Sequence, residues 1–247
     1  MRESFLKLND RTVVLSGPLT QVTSALVTTL SERGADIAMI VSDNLRESQR
    51  FAENISEQRE IHHNYGRVAA IESQMDSAEA GSDAISRAAE IFGTIDILID
   101  THLIGINKTA ENFSNYNDRA THMAKAALPY LEGRQKGRII LVTNDFHILE
   151  EKQKAPVQSL IRELSQSVIE KHITANVISC GVTEEYLLSR FNGKVSIKDA
   201  LEKVKSEHKN VRMVDAVEIA SVITFISSPM SSGINGQTIV VNGGMIL

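Results

Sequence analysis

The chain has 247 residues, 42% of them hydrophobic and 23% charged, with a formal net charge of −5. That length is enough for one large domain with an ample core, and the mild acid excess argues against a broad basic face for nucleic acid. A single cysteine, Cys180, excludes an internal disulfide framework and any multi-cysteine metal site. The N-terminal stretch MRESFLKLNDRTVVLSG holds no apolar run of signal-peptide length. No segment approaches the roughly 18 apolar residues of a membrane helix. The expectation is a soluble, cytoplasmic protein. With no Trp and only 4% aromatic residues, its core has to be aliphatic.

Short apolar runs alternate with longer stretches of helical period. Arg11–Leu15 reads as a strand, and Val22, Leu26, Val27 and Leu30 fall on one face of a helix that Gly34 ends. Ile37–Val41 is a second strand, Asn44–Gln58 a charged helix and Arg67–Ile71 a third strand. Asp83–Phe92 is amphipathic, and Gly93 supplies the left-handed geometry that closes it. Ile95–Ile99 follows as a strand, and Ala120–Leu131 as a helix with a continuous apolar stripe. Arg138–Val142 is apolar enough for a parallel strand covered on both faces. Pro156 suits the first turn of a helix reaching Lys171, with Val157, Leu160, Ile161, Leu164 and Val168 in step. Thr174–Ile178 is the next strand. Asp215 and Glu218 make a capping box before Ile219, Val222, Ile223 and Ile226, and Thr238–Val241 is the last strand. Repeated strand–helix units with short joins imply an α/β fold, a Rossmann-like doubly wound parallel sheet, with residues 1–247 forming one domain.

This layout resembles the short-chain dehydrogenase/reductase family, most nearly its 3-oxoacyl-(acyl-carrier-protein) reductase-like members. The resemblance spans the whole chain. It is carried by IASVITFISSPMSSGINGQTIVVNGGM over Ile219–Met245, by Asp96–Ile99, by Gly137–Ile140, and by Ile173–Asn176 with Gly181 after it. It implies NAD(P), seated on a loop T-G-x-x-x-G-x-G, and catalysis by Asn, Ser, Tyr and Lys.

Those motifs are degenerate here. The loop reads Ser16-Gly17-Pro18-Leu19-Thr20-Gln21-Val22-Thr23, so Gly17 survives while Gln21 and Thr23 place side chains where backbone should approach a pyrophosphate. The ribose-binding acid of NAD-dependent members falls on Val41, with Ser42 next and Asp43 close by. N-N-A-G becomes Asp100-Thr101-His102-Leu103, and P-G becomes Cys180-Gly181. The catalytic Asn, Ser, Tyr and Lys positions fall on Tyr116 (flanked by Asn115 and Asn117), Asn144 (beside Thr143), Glu150 and Lys154; only Lys154 is retained. Glu150 lies four residues before Lys154, so pairing with it would keep the carboxyl ionised and a poor proton donor. Tyr130 and Tyr186 each precede an arginine by four, outside the motif position, and those spacings read as chance. The seven histidines show no ligand spacing.

What the resemblance implies is therefore an inactive subunit, with no cofactor of its own. It resembles the inactive partner in heteromeric members, such as a mitochondrial ketoacyl reductase-like type or the 2-(hydroxy(phenyl)methyl)succinyl-CoA dehydrogenase kind. It would assemble, tetramers being common in the family, with an active paralogue acting on a hydroxyacyl or oxoacyl thioester. The surfaces expected to dock are helices 120–131 and 156–171 and the segment 219–245. Two alternatives stand beside this: an NAD(P)-dependent oxidoreductase with non-standard groups, and a regulator that binds a dinucleotide without turning it over. In either alternative Gly17, Val41, Asp43, Lys154 and Gly181 would line the cofactor.

Overall fold

Seven runs of branched aliphatic residues form one parallel sheet in the computed structural model, which describes residues 6–62, 64–104, 110–134, 136–144 and 151–245, with backbone alone at 60, 110–117 and 151–156. The strands are β1 (Thr12–Ser16), β2 (Asp36–Val41), β3 (Val68–Glu72), β4 (Ile97–Leu103), β5 (Arg138–Asn144), β6 (Thr174–Cys180) and β7 (Thr238–Val241). Their order is β3-β2-β1-β4-β5-β6-β7. The helices are α1 (Gln21–Glu32), α2 (Leu45–Ile61), α3 (Ala78–Phe92), α4 (Ala110–Gly133), α5 (Glu151–Ser167), α6 (Glu184–Arg190), α7 (Ile197–Glu207) and α8 (Ala216–Ser227).

Alternation along each strand feeds two aliphatic cores. Val14, Leu98, Ile139, Leu141 and Val177 point to the side covered by α3, α4 and α5. Val13, Leu15, Ile97, Ile99, Ile140 and Ile178 point to the side covered by α1, α2 and α8. A third, smaller cluster ties α6 and α7 together through Tyr186, Leu187, Ala200 and Val204. Among the described residues no helix is long and apolar enough to cross a membrane.

Three sequence expectations need correction. Helices α6 and α7 were not anticipated, because their segment is short-ranged and polar on its outer face. Helix α5 begins at Glu151 rather than at Pro156, since a proline forfeits one ladder bond without preventing an earlier turn from forming. The helix also ends at Ser167, with a separate 3-10 turn at Ile169–Lys171. Lastly, the apolar stripes expected to dock a partner are spent on the sheet. Ala127 is 0% exposed and Leu164 6%, both inside the core, while the outer face of α5 carries Gln158, Arg162, Glu163 and Gln166.

Candidate functional site

Strand order reverses at β1, which pairs with β2 on one side and β4 on the other. In open parallel sheets the crevice beyond the carboxyl ends of such strands is where ligands bind. Here it is bordered by Ser16 and Gly17 after β1, by Asp100–Leu103 in β4, and by the first turn of α1.

Gly17 is explained by packing. Its φ is +149°, and a Cβ there would stand 2.1 Å from Thr101 Oγ1. Thr101 in turn donates to the Ser16 carbonyl at 3.2 Å, which fastens the two strand ends to each other. Gly181 is likewise a close-approach position, where a Cβ would meet the Asn242 Cα at 2.6 Å.

The start of α1 differs from what the sequence suggested. The Thr23 side chain does not project into the crevice. It turns back in a capping box, with its Oγ1 accepting from the Thr20 N–H at 2.6 Å and donating to the Pro18 carbonyl at 2.8 Å. The Thr20 hydroxyl accepts from the Thr23 N–H at 3.2 Å. The next amide is claimed from far away: Val22 N–H donates to Glu185 Oε1 at 3.1 Å, across 163 positions of sequence. Beside it, Gln21 Nε2 donates to Glu184 Oε2 at 2.8 Å. A helix N-terminus carries roughly half a positive charge. In this chain two of its own carboxylates face that charge.

What holds the two glutamates there is the α6–α7 unit. Thr183 caps α6 by accepting from the Tyr186 N–H. Tyr186 OH accepts from Arg190 Nη1 at 2.6 Å, and Arg190 also pairs with Glu207 at the end of α7. The Tyr186–Arg190 spacing is therefore a real contact, one that clamps helices rather than serving chemistry. Burial pushes the Tyr186 phenol up, with Arg190 opposing. Tyr130 and Arg134 do not pair; Arg134 Nε reaches Asp96 at 2.9 Å.

Across the crevice, Asp100 and His102 are buried at the end of β4. Asp100 Oδ1 accepts from the His102 backbone N–H at 3.0 Å and lies 3.3 Å from His102 Nδ1. Ser16 Oγ is 3.5 Å from the same ring nitrogen. Asp100 Oδ2, His102 Nε2, Thr143 Oγ1 and Asn144 Oδ1 have no hydrogen-bond partner among the described residues. Asn144 closes β5 opposite Cys180. The strand ends thus present unspent polar atoms, as a polar floor would.

The remaining expected positions divide. Val41 is buried in β2, and Asp43 sits exposed after it, accepting from Ser42 Oγ at 3.1 Å. Tyr116 and Lys154 lie on the backbone of α4 and α5, and their side chains are outside the described residues. Glu150 lies outside them altogether. Among the described residues no group of His, Cys, Asp and Glu could hold a metal ion. Glu184 and Glu185 were missed by sequence reasoning; their only local signal is an acidic pair that begins four residues past the end of β6, directly after a capping threonine.

The comparisons agree with this architecture. The enoyl-(acyl carrier protein) reductase family model matches residues 22–246. NADPH-dependent aldehyde reductase 2 of Arabidopsis thaliana is 25% identical, with 98% of this chain and 96% of the relative covered. The 3-oxoacyl-(acyl-carrier-protein) reductase FabG of Buchnera aphidicola is 30% identical over 62% of this chain and 68% of its own length. L-sorbose reductase from Gluconobacter frateurii superposes with a TM-score of 0.82 at 20% identity, covering 98% of each chain. With its fold, its strand order and a family match over nearly its full length, the chain belongs to the short-chain dehydrogenase/reductase family.

Proposed function

We propose that this chain is a family subunit that does not bind and turn over a nicotinamide dinucleotide by itself, and that it supports an active paralogue acting on a hydroxyacyl or oxoacyl thioester. The observation that carries this reading is the bond from Val22 N–H to Glu185. An anion placed on the first turn of α1 would have to displace a carboxylate that is covalently part of the chain, and then lie beside Glu184. Degeneracy at Glu150 and in the glycine loop points the same way. The surface best suited to a partner is the edge strand β7, where Val240 is 49% exposed, together with Val217 and Met230, 58% and 54% exposed.

A second reading is an NAD(P)-dependent oxidoreductase with non-standard groups, and the named relatives favour it over the first. The Arabidopsis relative is called an NADPH-dependent reductase, and the sorbose reductase structure holds NADPH and L-sorbose. The retained Lys154 and the unspent polar atoms of Asp100, His102 and Asn144 supply groups such an enzyme could use. A dinucleotide-sensing regulator would share the binding and lack the turnover.

Calorimetry of the purified chain with NADH and NADPH, followed by assays with 3-oxoacyl and 3-hydroxyacyl thioesters, separates the three. No binding and no turnover is the expected result. Steady turnover would install the oxidoreductase reading, and binding without turnover the regulatory one. Light scattering and co-purification from the native source test the assembly.

A further inference from the structure

At the opposite end of the sheet, where β5 and β6 begin, a pocket of about 530 Å³ is lined by Lys136, Arg138, His172, Thr174 and Ser232, with Ile169, Ile173 and Pro229 among its apolar members. Among the described residues no Asp or Glu lines it. Its volume falls within the range of clefts that hold small molecules, roughly 300–1,000 Å³.

Arg138 is the unusual member. It is 3% exposed, yet among the described residues its guanidinium meets only carbonyl oxygens: Nη1 donates to Lys136 and Gly137, and Nη2 to Ser228, at 3.0–3.3 Å. Of an arginine's five N–H donors, the one on Nε has no partner among the described residues. The nearby carboxylate is fully engaged elsewhere. Asp96 Oδ1 accepts from Arg11 at 2.8 Å and from Arg134 at 2.9 Å, while Oδ2 accepts from the Thr12 N–H. Two arginines, Arg11 and Arg134, thus share Asp96, and among the described residues Arg138 has no ion pair. Glu132, on the neighbouring helix, is paired with Lys171. Burial and the nearby Arg11 both push the Arg138 guanidinium down from its ordinary value, the signature of a desolvated cation lacking a counter-ion. Thr174 Oγ1, also buried and also lining the pocket, has no partner among the described residues either.

A buried cation without an anion is costly, and proteins ordinarily pair it. Lys136 stands exposed on the same rim and adds to the positive field, with the exposed His172 imidazole beside it as a further polar group. We propose that this pocket is an oxyanion site that takes a phosphate group, free or as the phosphomonoester of a small molecule whose body rests on Ile169, Ile173 and Pro229. A buried guanidinium and a rim ammonium match a doubly charged phosphate better than a single carboxylate, and planar Arg N–H groups suit its oxygens. The inference is independent of the subunit reading, because it concerns the other end of the sheet.

The test is calorimetry and phosphorus NMR line broadening of the whole chain with inorganic phosphate, glycerol phosphate and acetate at low ionic strength. Saturable phosphate binding is expected, with acetate at least about tenfold weaker. Ser232→Asp, an exposed change that places a carboxylate on the rim, should weaken phosphate by about tenfold, and Lys136→Gln by a smaller factor. Arg138→Gln should abolish binding; if that variant fails to fold, the two rim variants carry the test alone. Tighter binding of glycerol phosphate than of phosphate identifies a phosphomonoester, and equal affinities identify free phosphate. Absence of saturable binding, acetate as tight as phosphate, or unchanged affinity in both rim variants overturns the proposal.

Discussion

The two ends of the sheet handle charge in opposite ways. At the carboxyl end of the strands, the first turn of α1 is a place where a family dinucleotide would bring its negative charge, and the chain fills it with Glu185 and flanks it with Glu184. At the amino end, Arg138 is buried with carbonyls for company and, among the described residues, no carboxylate. One end has spent its attraction for anions internally, and the other has kept it. A crevice in the family's position is therefore no guarantee of a ligand there, and a cavity away from it can hold the stronger unmet demand. The same distinction separates the apolar faces: those of α4 and α5 are consumed by the core, while the β7 edge still exposes Val240.

The largest effect tests whether the α4 and α5 faces are spent. Ala127→Glu and Leu164→Arg each drive a charge into the core, at a cost of more than about 3 kcal/mol. Each should unfold the chain or strip most of its stability, as read by chemical denaturation. A folded variant that merely changes oligomeric state would return these faces to the list of interfaces. A partner bound at the β7 edge should be lost instead with Val240→Lys, which leaves the monomer's unfolding midpoint nearly unchanged, as light scattering and denaturation together would read.

Next comes Gly17, the one glycine kept from the phosphate loop. Its neighbour Thr101 blocks any Cβ, so Gly17→Ala should cost about 2 kcal/mol. Packing as the cause makes a further demand: Thr101→Ala in the same chain should recover part of that loss. If the double variant is no more stable than Gly17→Ala alone, the strained φ, rather than the contact, governs the position.

Much of this fold was legible because parallel strands buried on both faces read as unbroken apolar runs, as Arg138–Val142 and Thr174–Ile178 do. Caps were legible too: Gly93 has φ +84°, and Asp215 with Glu218 forms the box that the spacing implies. Helices α6 and α7 escaped notice because each is short and its apolar residues face a small satellite cluster rather than the sheet. At the site, loss of glycines could be read directly, but its replacement could not. The bond from Val22 to Glu185 joins residues 163 apart, and no local pattern encodes it. Arg138 was hidden for a related reason: at the head of an apolar strand a charge looks like a solvated end, and only the fold shows it enclosed.

A moderate effect is expected from the plug itself. Glu184→Gln with Glu185→Gln keeps shape and removes charge. A hydrogen bond to a charged group contributes about 1.5–3 kcal/mol, and part of that should disappear from stability. In exchange, affinity for ADP should rise by about tenfold, which corresponds to about 1.4 kcal/mol. Calorimetry reads the second effect and denaturation the first. Lost stability with no gain in ADP affinity would mean that the degenerate loop alone closes the crevice.

The smallest effect concerns α8, which packs against α1 and caps its own start with nearby residues. Glu218 accepts from the Asp215 N–H at 2.9 Å and is gripped by Arg212 through two bonds of 2.7 and 2.8 Å. Arg212, and after it the Asp215 amide, hold the Glu218 carboxyl at about 2, well below the ordinary 4.5. A depressed folded value stabilises the fold above the unfolded value and loses that contribution as the carboxyl protonates. Glu218→Gln should therefore lower the thermal midpoint slightly at neutral pH, where the wild-type contribution is complete. As pH falls from about 4.5 toward 2, the two midpoints should converge. Because Glu218 is solvated, added salt should narrow the neutral-pH gap as well. A gap that stays constant with pH would assign the effect to the capping bond rather than to the charge. ADP affinity should not change in this variant, since removing a carboxylate opens a crevice only where that carboxylate stands in for a ligand.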